Sequence, residues 1–181
     1  PKYTWRRDGY IPFNSSVLDS LRMNGKSNIL ELDLRTYITN EEPSESCHDY
    51  IGWADDPEHF RRINRKFAGM QIAKDMGMWY YDMSASYFYD APLLKELADT
   101  AEVMRSVQAE PNTFRPDVAL VFDEKSVFFN HFRVYPLATF YNTNLMQWYT
   151  LSSGVPYDLV YLDDLARFPE KMKQYKVLVF L

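Results

Sequence analysis

The chain has 181 residues, 46% of them hydrophobic and 25% charged, with a net charge of -5. These are ordinary proportions for one globular domain or two small ones. The acidic balance argues against a nucleic-acid partner, the apolar runs fall short of the ~20 residues a membrane helix needs, and the single Cys47 excludes an internal disulfide. Aromatic residues reach 17%, with 14 Tyr, 12 Phe and 4 Trp. Most of them belong to a core, but the faces of Tyr and Trp also stack on sugar rings.

Asn14-Ser15-Ser16 offers N-cap chemistry, and "SVLDSLRMNG" reads as a short helix stopped by Gly25. The strand "SNILELDLR" follows, and it alternates. Leu30, Leu32 and Leu34 share one face, and Glu31, Asp33 and Arg35 share the other. Such a strand fits either a solvated edge or the floor of an active site. Residues 37–57 are polar and irregular, a long loop of the kind that is functional or disordered. Asp55-Asp56-Pro57-Glu58 opens a helix with Phe60, Ile63, Phe67, Met70, Ile72 and Ala73 on its apolar face, ended by Gly77. "MWYYDM" is a short aromatic strand with Asp82 near its end. After the loop "SASYFYDAP", Asp90 and Pro92 start a helix with Leu93, Leu94, Leu97, Ala98, Ala101 and Met104 as its apolar face.

"AEPNTFRP" at 109–116 is a linker by composition. Beyond it come the apolar strand "DVALVFDE", a helix near "LATFYNTNLMQWYTLSSG" closed by Gly154, the strand "YDLVYLDD", a connector and the strand "KVLVFL". Both halves alternate strand and helix, which calls for parallel sheets in an α/β fold. The division falls at 1–110 and 111–181. The chain opens at Pro1 and closes on a strand pattern, and both ends suggest a piece of a longer polypeptide.

In a (β/α)8 barrel the active site lies at the C-terminal ends of the strands, on the loops that follow. The alternation around Glu31, the long loop after it and the acid ending the next strand fit that layout. "NGKSNILELDLRTY", then "RRINRKFAGMQIAKDMGMWYYDM", then a Tyr/Phe loop and a helix resemble the last part of a glycoside hydrolase barrel, of the β-galactosidase type of family 42. "DVALVFDEKS" through "KVLVFL" resembles the start of the flavodoxin-like domain that follows the barrel there, which is similar to class I glutamine amidotransferases. The resemblance implies the last strands and helices of a (β/α)8 barrel followed by an incomplete flavodoxin-like domain that supports trimers. It further implies a carbohydrate substrate, and partners in the remainder of the parent polypeptide and in copies of itself. No cofactor, membrane or nucleic acid is expected.

Retaining glycosidases use a nucleophile and an acid/base carboxyl about 5–5.5 Å apart. The resemblance maps the nucleophile to Glu31, with Asp33 as its competitor for the role. Arg35 either keeps Glu31 ionised or binds sugar hydroxyls, unless all three form a structural polar network. The acid/base residue of the family lies well upstream, at the fourth strand, so the isolated chain is expected to be inactive. Trp53, Trp79 and Tyr81 are candidate stacking surfaces or packed side chains. Asp82 either bonds substrate or caps its loop. Cys47 and His48 lack a second ligand pair for a metal. Arg61, Arg62, Arg65 and Lys66 read as a solvated helix face. Asp163-Asp164 reads as a helix cap or a solvent-exposed pair rather than a Mg²⁺ site. The second half has neither a glycine-rich phosphate loop nor the nucleophilic Cys an amidotransferase needs; His131 alone does not suggest one. A competing reading is a carbohydrate-binding or oligomerisation module without catalysis.

Overall fold

The computed structural model describes residues 16–39, 53–82, 87–110, 112–129 and 149–181. Its elements are mixed α/β with parallel pairing throughout. The chain divides into two compact units, one built from Asn28–Asn112 and the other from Phe13–Ser27 with Thr113–Leu181.

In the first unit the predicted strand splits. Strand β1 (Ile29–Leu32) pairs with β4 (Gly77–Tyr80), whereas β2 (Arg35–Thr36) pairs with β3 (Trp53–Ala54), a short strand within the stretch read as loop. The two pairs form separate sheets. The expected alternation of burial holds along β1 but not past the split, where Leu34, Arg35 and Thr36 are buried in succession. Leu32 and Leu34 are fully buried, and Leu30 packs against the same cluster.

Helix α2 (Pro57–Lys74) starts at Asp56, whose carboxylate accepts from His59 N–H at 2.8 Å. It ends at Asp75, which takes the left-handed conformation (φ 59°). Gly77, the expected terminator, instead opens β4. An Asp tolerates this conformation better than most residues. The helix buries Phe60, Ile63, Asn64, Phe67, Ala68 and Gln71. That stripe keeps strict 3/4 spacing, so it passes through Asn64 and Gln71 and leaves Met70 and Ile72 half-buried and Ala73 exposed.

Helix α3 (Ala91–Gln108) is capped by Asp90, which accepts from Ala91 N–H at 3.0 Å. Its buried face is Leu93, Glu96, Thr100 and Met104, while Leu94, Ala98 and Ala101 are exposed. This corrects the apolar face read from the sequence. The cause lies on α2. Asn64 Nδ2 donates to Thr100 Oγ1 at 2.7 Å and lies 3.4 Å from Glu96 Oε1, and Asn64 Oδ1 accepts from the Tyr80 hydroxyl at 2.6 Å. Arg65 of the expected solvated face forks onto Glu96 at 2.9 and 3.0 Å. A buried polar group needs such partners, so Glu96 and Thr100 turn inward.

In the second unit, β5 (Val118–Phe122) lies between β6 (Tyr157–Tyr161) and β7 (Val177–Phe180), in the order β6-β5-β7. Both faces of β5 are covered. Leu120 packs with Val17, Tyr157 and Leu159, and Ala119 and Val121 pack with Val160. That accounts for its unbroken apolar sequence. A 3-10 segment (Glu124–Phe129) follows β5, helix α4 (Leu162–Arg167) and α5 (Pro169–Met172) follow β6, and residues 149–152 are helical. Gly154 (φ 75°) closes that last helix, as expected.

Helix α1 (Leu18–Met23) also belongs to this unit, although the order of the sequence groups it with the first half. Gly25 (φ 68°) ends it, with Lys26 N–H donating to Leu21 O at 2.9 Å. The reason for the docking is the outer edge of β6. Buried Asp19 accepts from Leu159 N–H at 2.8 Å, and Asp164 accepts from Tyr161 N–H at 3.0 Å. Two carboxylates thus occupy edge groups that would otherwise recruit another strand. Asp164 caps the start of α4 and Asp163 pairs with Lys125 at 2.6 Å, in line with the capping reading of that pair.

Candidate functional site

Parallel pairing of β1 with β4 sets Glu31 opposite Trp79. Both lie on the side of the strands that Leu30 and Leu32 do not use. Glu31 is exposed, and among the described residues its carboxylate has no hydrogen bond or ion pair. Trp79 is 44% exposed. Two residues on, Tyr81 meets Trp79 edge to face, with ring centroids 5.8 Å apart and planes at 88°. Tyr81 N–H donates to Leu32 O at 3.3 Å, extending the pairing one step past the strand. A carboxylate therefore stands beside a two-ring aromatic surface at the C-terminal ends of two parallel strands.

Arg35 does not share that exposure. It is 4% exposed, its Nη1 donates to Asp33 Oδ1, and its guanidinium lies over the Tyr87 ring at 4.5 Å. Asp33 keeps 22% of its side chain exposed. Tyr87 is fully buried and held by its backbone from two sides. Its carbonyl accepts from the Thr36 hydroxyl, and its N–H donates to Asp82 Oδ1 at 3.3 Å. Asp82 thus caps the aromatic loop. Trp53 is half-buried and stands opposite Arg35 in the β2–β3 pair. Next along the chain, the Tyr37 hydroxyl donates to Asp90 Oδ2, tying the end of β2 to the cap of α3.

The residues of this region therefore fall into two groups. Glu31, Trp79 and Tyr81 make an open surface with Asp33 at its border, and Arg35, Tyr87, Thr36 and Asp82 make the support beneath the loops. Tyr87 and Thr36 were missed as members of the support. Contacts 51 or 52 positions apart in the chain leave no spacing signal. Cys47, His48 and His131 lie outside the described residues, and among the described residues no three His, Cys, Asp or Glu side chains gather as a metal site. Among the same residues no helix is long and apolar enough to cross a membrane. Comparison with protein-family models, with curated proteins and with solved structures gives no match.

Proposed function

We propose that this chain contributes the nucleophile-bearing part of a retaining glycoside hydrolase, β-galactosidase-like, with Glu31 as nucleophile. The observation that carries the reading is the register of β1 and β4, which puts the exposed Glu31 carboxylate across from the exposed Trp79 indole. A sugar ring stacked on the Trp79 indole brings its anomeric carbon toward Glu31. The carboxylate attacks that carbon and forms a glycosyl ester as the leaving oxygen takes a proton from a second carboxyl, which then activates water to hydrolyse the ester. On this reading the second carboxyl comes from an upstream segment of the parent polypeptide, so the 181 residues alone do not turn over substrate. The first unit is then the last part of a (β/α)8 barrel. The order β6-β5-β7, central strand first in sequence, supports a flavodoxin-like start for the second.

The test is mechanism-based trapping on the complete protein with a 2-deoxy-2-fluoro glycoside. The expected outcome is a glycosyl ester on the peptide carrying Glu31, absent in Glu31→Gln together with nitrophenyl glycoside hydrolysis. A label on Asp33, or unimpaired hydrolysis by Glu31→Gln, overturns the assignment. A second reading, a carbohydrate-binding or oligomerisation module without catalysis, draws on a specific observation. The neighbouring acids are engaged in structure, Asp33 with Arg35 and Asp82 with the Tyr87 N–H. Sugar binding with no trapped ester and no turnover in the complete protein supports that reading.

A further inference from the structure

We propose that Tyr89 is the surface on which the leaving group of the glycoside stacks; this rests on the glycosidase reading above. Tyr87, Phe88 and Tyr89 are consecutive aromatic residues with opposite fates. Tyr87 is fully buried and Phe88 nearly so, whereas Tyr89 is 82% exposed. A loose backbone does not account for that exposure, because the turn is fastened on both sides of the ring. Before it, the Tyr87 carbonyl accepts from the Thr36 hydroxyl and the Tyr87 N–H donates to Asp82. The Phe88 ring packs against Phe60 and Tyr80, with centroids 5.8 and 5.6 Å apart. After it, Asp90 N–H donates to Phe88 O at 2.8 Å, and the Asp90 carboxylate accepts from the Tyr37 hydroxyl and from Ala91 N–H. A Tyr has only two side-chain torsions left to fix once its backbone is held. A ligand that covers such a ring therefore pays little ordering entropy.

The place of the turn in the fold gives the chemistry of its partner. Asp82 lies just past the end of β4, and Thr36 closes β2. The turn is thus tied to the C-terminal ends of the strands, the end that also carries Glu31 and Trp79. Tyr89 is two residues from Tyr87, at most about 7 Å of chain. In the displacement, a Glu31 carboxylate oxygen bonds to the anomeric carbon from one side. The bond to the leaving oxygen breaks on the opposite side, and that oxygen takes its proton from the second carboxyl. The leaving group is therefore directed away from the strand bearing Glu31, into the space bordered by the loops that follow the strands. Trp79 holds the sugar that reacts, and Tyr89 meets the part that departs. A flat apolar face with a hydroxyl at its tip suits an aryl group or a second sugar ring, and has nothing to hold in a leaving group as small as fluoride.

The experiment gives the complete protein one sugar with three leaving groups: a glycosyl fluoride, a nitrophenyl glycoside and a disaccharide. Tyr89→Ala is expected to lower kcat/KM on the nitrophenyl glycoside and the disaccharide by roughly 2- to 12-fold, the worth of one aromatic pair. The same variant should leave kcat/KM on the fluoride unchanged. Tyr89→Trp, which keeps a flat ring, should retain the preference for the larger leaving groups. Hydrolysis of the trapped glycosyl ester, from which the leaving group has already gone, should run at the unmodified rate in both variants. Equal losses on all three substrates mean a merely structural role and overturn the proposal. No loss on any of them overturns it too. Fluoroglycoside trapping run in parallel separates the two levels. A label on Glu31, with a Tyr89→Ala variant that treats the three leaving groups alike, sinks only this inference. No label on Glu31 in the unmodified protein removes the glycosidase reading with it.

Discussion

Several tyrosine hydroxyls are held as neutral phenols by their surroundings. Burial and the hydrogen bond to Asp90 push Tyr37 up to about 12. Burial pushes Tyr80 and Tyr157 well above the usual range, and burial with the hydrogen bond to Asp158 does the same for Tyr175. A phenol whose folded-state pKa exceeds its unfolded value, about 10, binds its proton more tightly when folded. The stability it contributes is full below pH ~10 and is lost as pH climbs through the folded value. Alkaline titration should therefore show tyrosinate absorbance rising together with loss of circular dichroism above pH ~10, rather than before it. Tyr175→Phe should take one such group out of the transition; tyrosines that all ionise with the fold intact would contradict this. At this scale the sequence is half legible. Alternation places Glu31 on the face away from the leucines, and the exposed Trp79 joins it through register. The burial of Arg35 is not legible, because its enclosing ring, Tyr87, is remote in the chain.

Between elements, the buried polar part of the α2–α3 contact centres on one amide. Asn64 joins Thr100, Glu96 and the Tyr80 hydroxyl, so Asn64→Ala leaves several buried polar groups short of partners. The expected cost is about 1–3 kcal/mol, read as a lower urea midpoint with an unchanged slope. A change within a few tenths would show that water or side-chain rotation replaces the amide. The starts of both helices were legible, since Asp followed by Pro supplies a cap and a fixed first turn. Their faces were less so. Hydrophobic periodicity assigns Leu94, Ala98 and Ala101 inward, but a polar network at the same spacing turns the helix the other way. The split of the predicted strand into β1 and β2 has no counterpart in the run "ILELDLRT"; two different partner strands impose it.

In the molecule as a whole, the second unit is assembled from two stretches separated by Asn28–Asn112 of the first unit. Asp19 is the joint: it accepts from Leu159 N–H at 2.8 Å and pairs with Arg22 at 3.3 Å. Asp19→Ala should expose that N–H without a partner and weaken this unit by about 1–3 kcal/mol. Hydrogen exchange should quicken along β5, β6 and β7 and stay as it was in β1 and β4. Equal acceleration in both units would contradict the division. Parallel α/β organisation was visible in the order of elements. The return of α1 to the second unit was not, because "SVLDSLRMNG" carries no mark of a partner 140 positions away.

The carboxylate of Asp19 leaves the ribosome long before the amide it will bind. At about 5–20 residues per second, the 140-residue separation is a wait on the order of 10 s. Within that interval the described strands and helices of the first unit are synthesised, while α1 remains a tethered, undocked segment. Loop closure over so long a span is intrinsically slow. The order of maturation is thereby written into the topology: the surface bearing Glu31 and Trp79 can form first, and the three-stranded sheet locks only when its far end arrives.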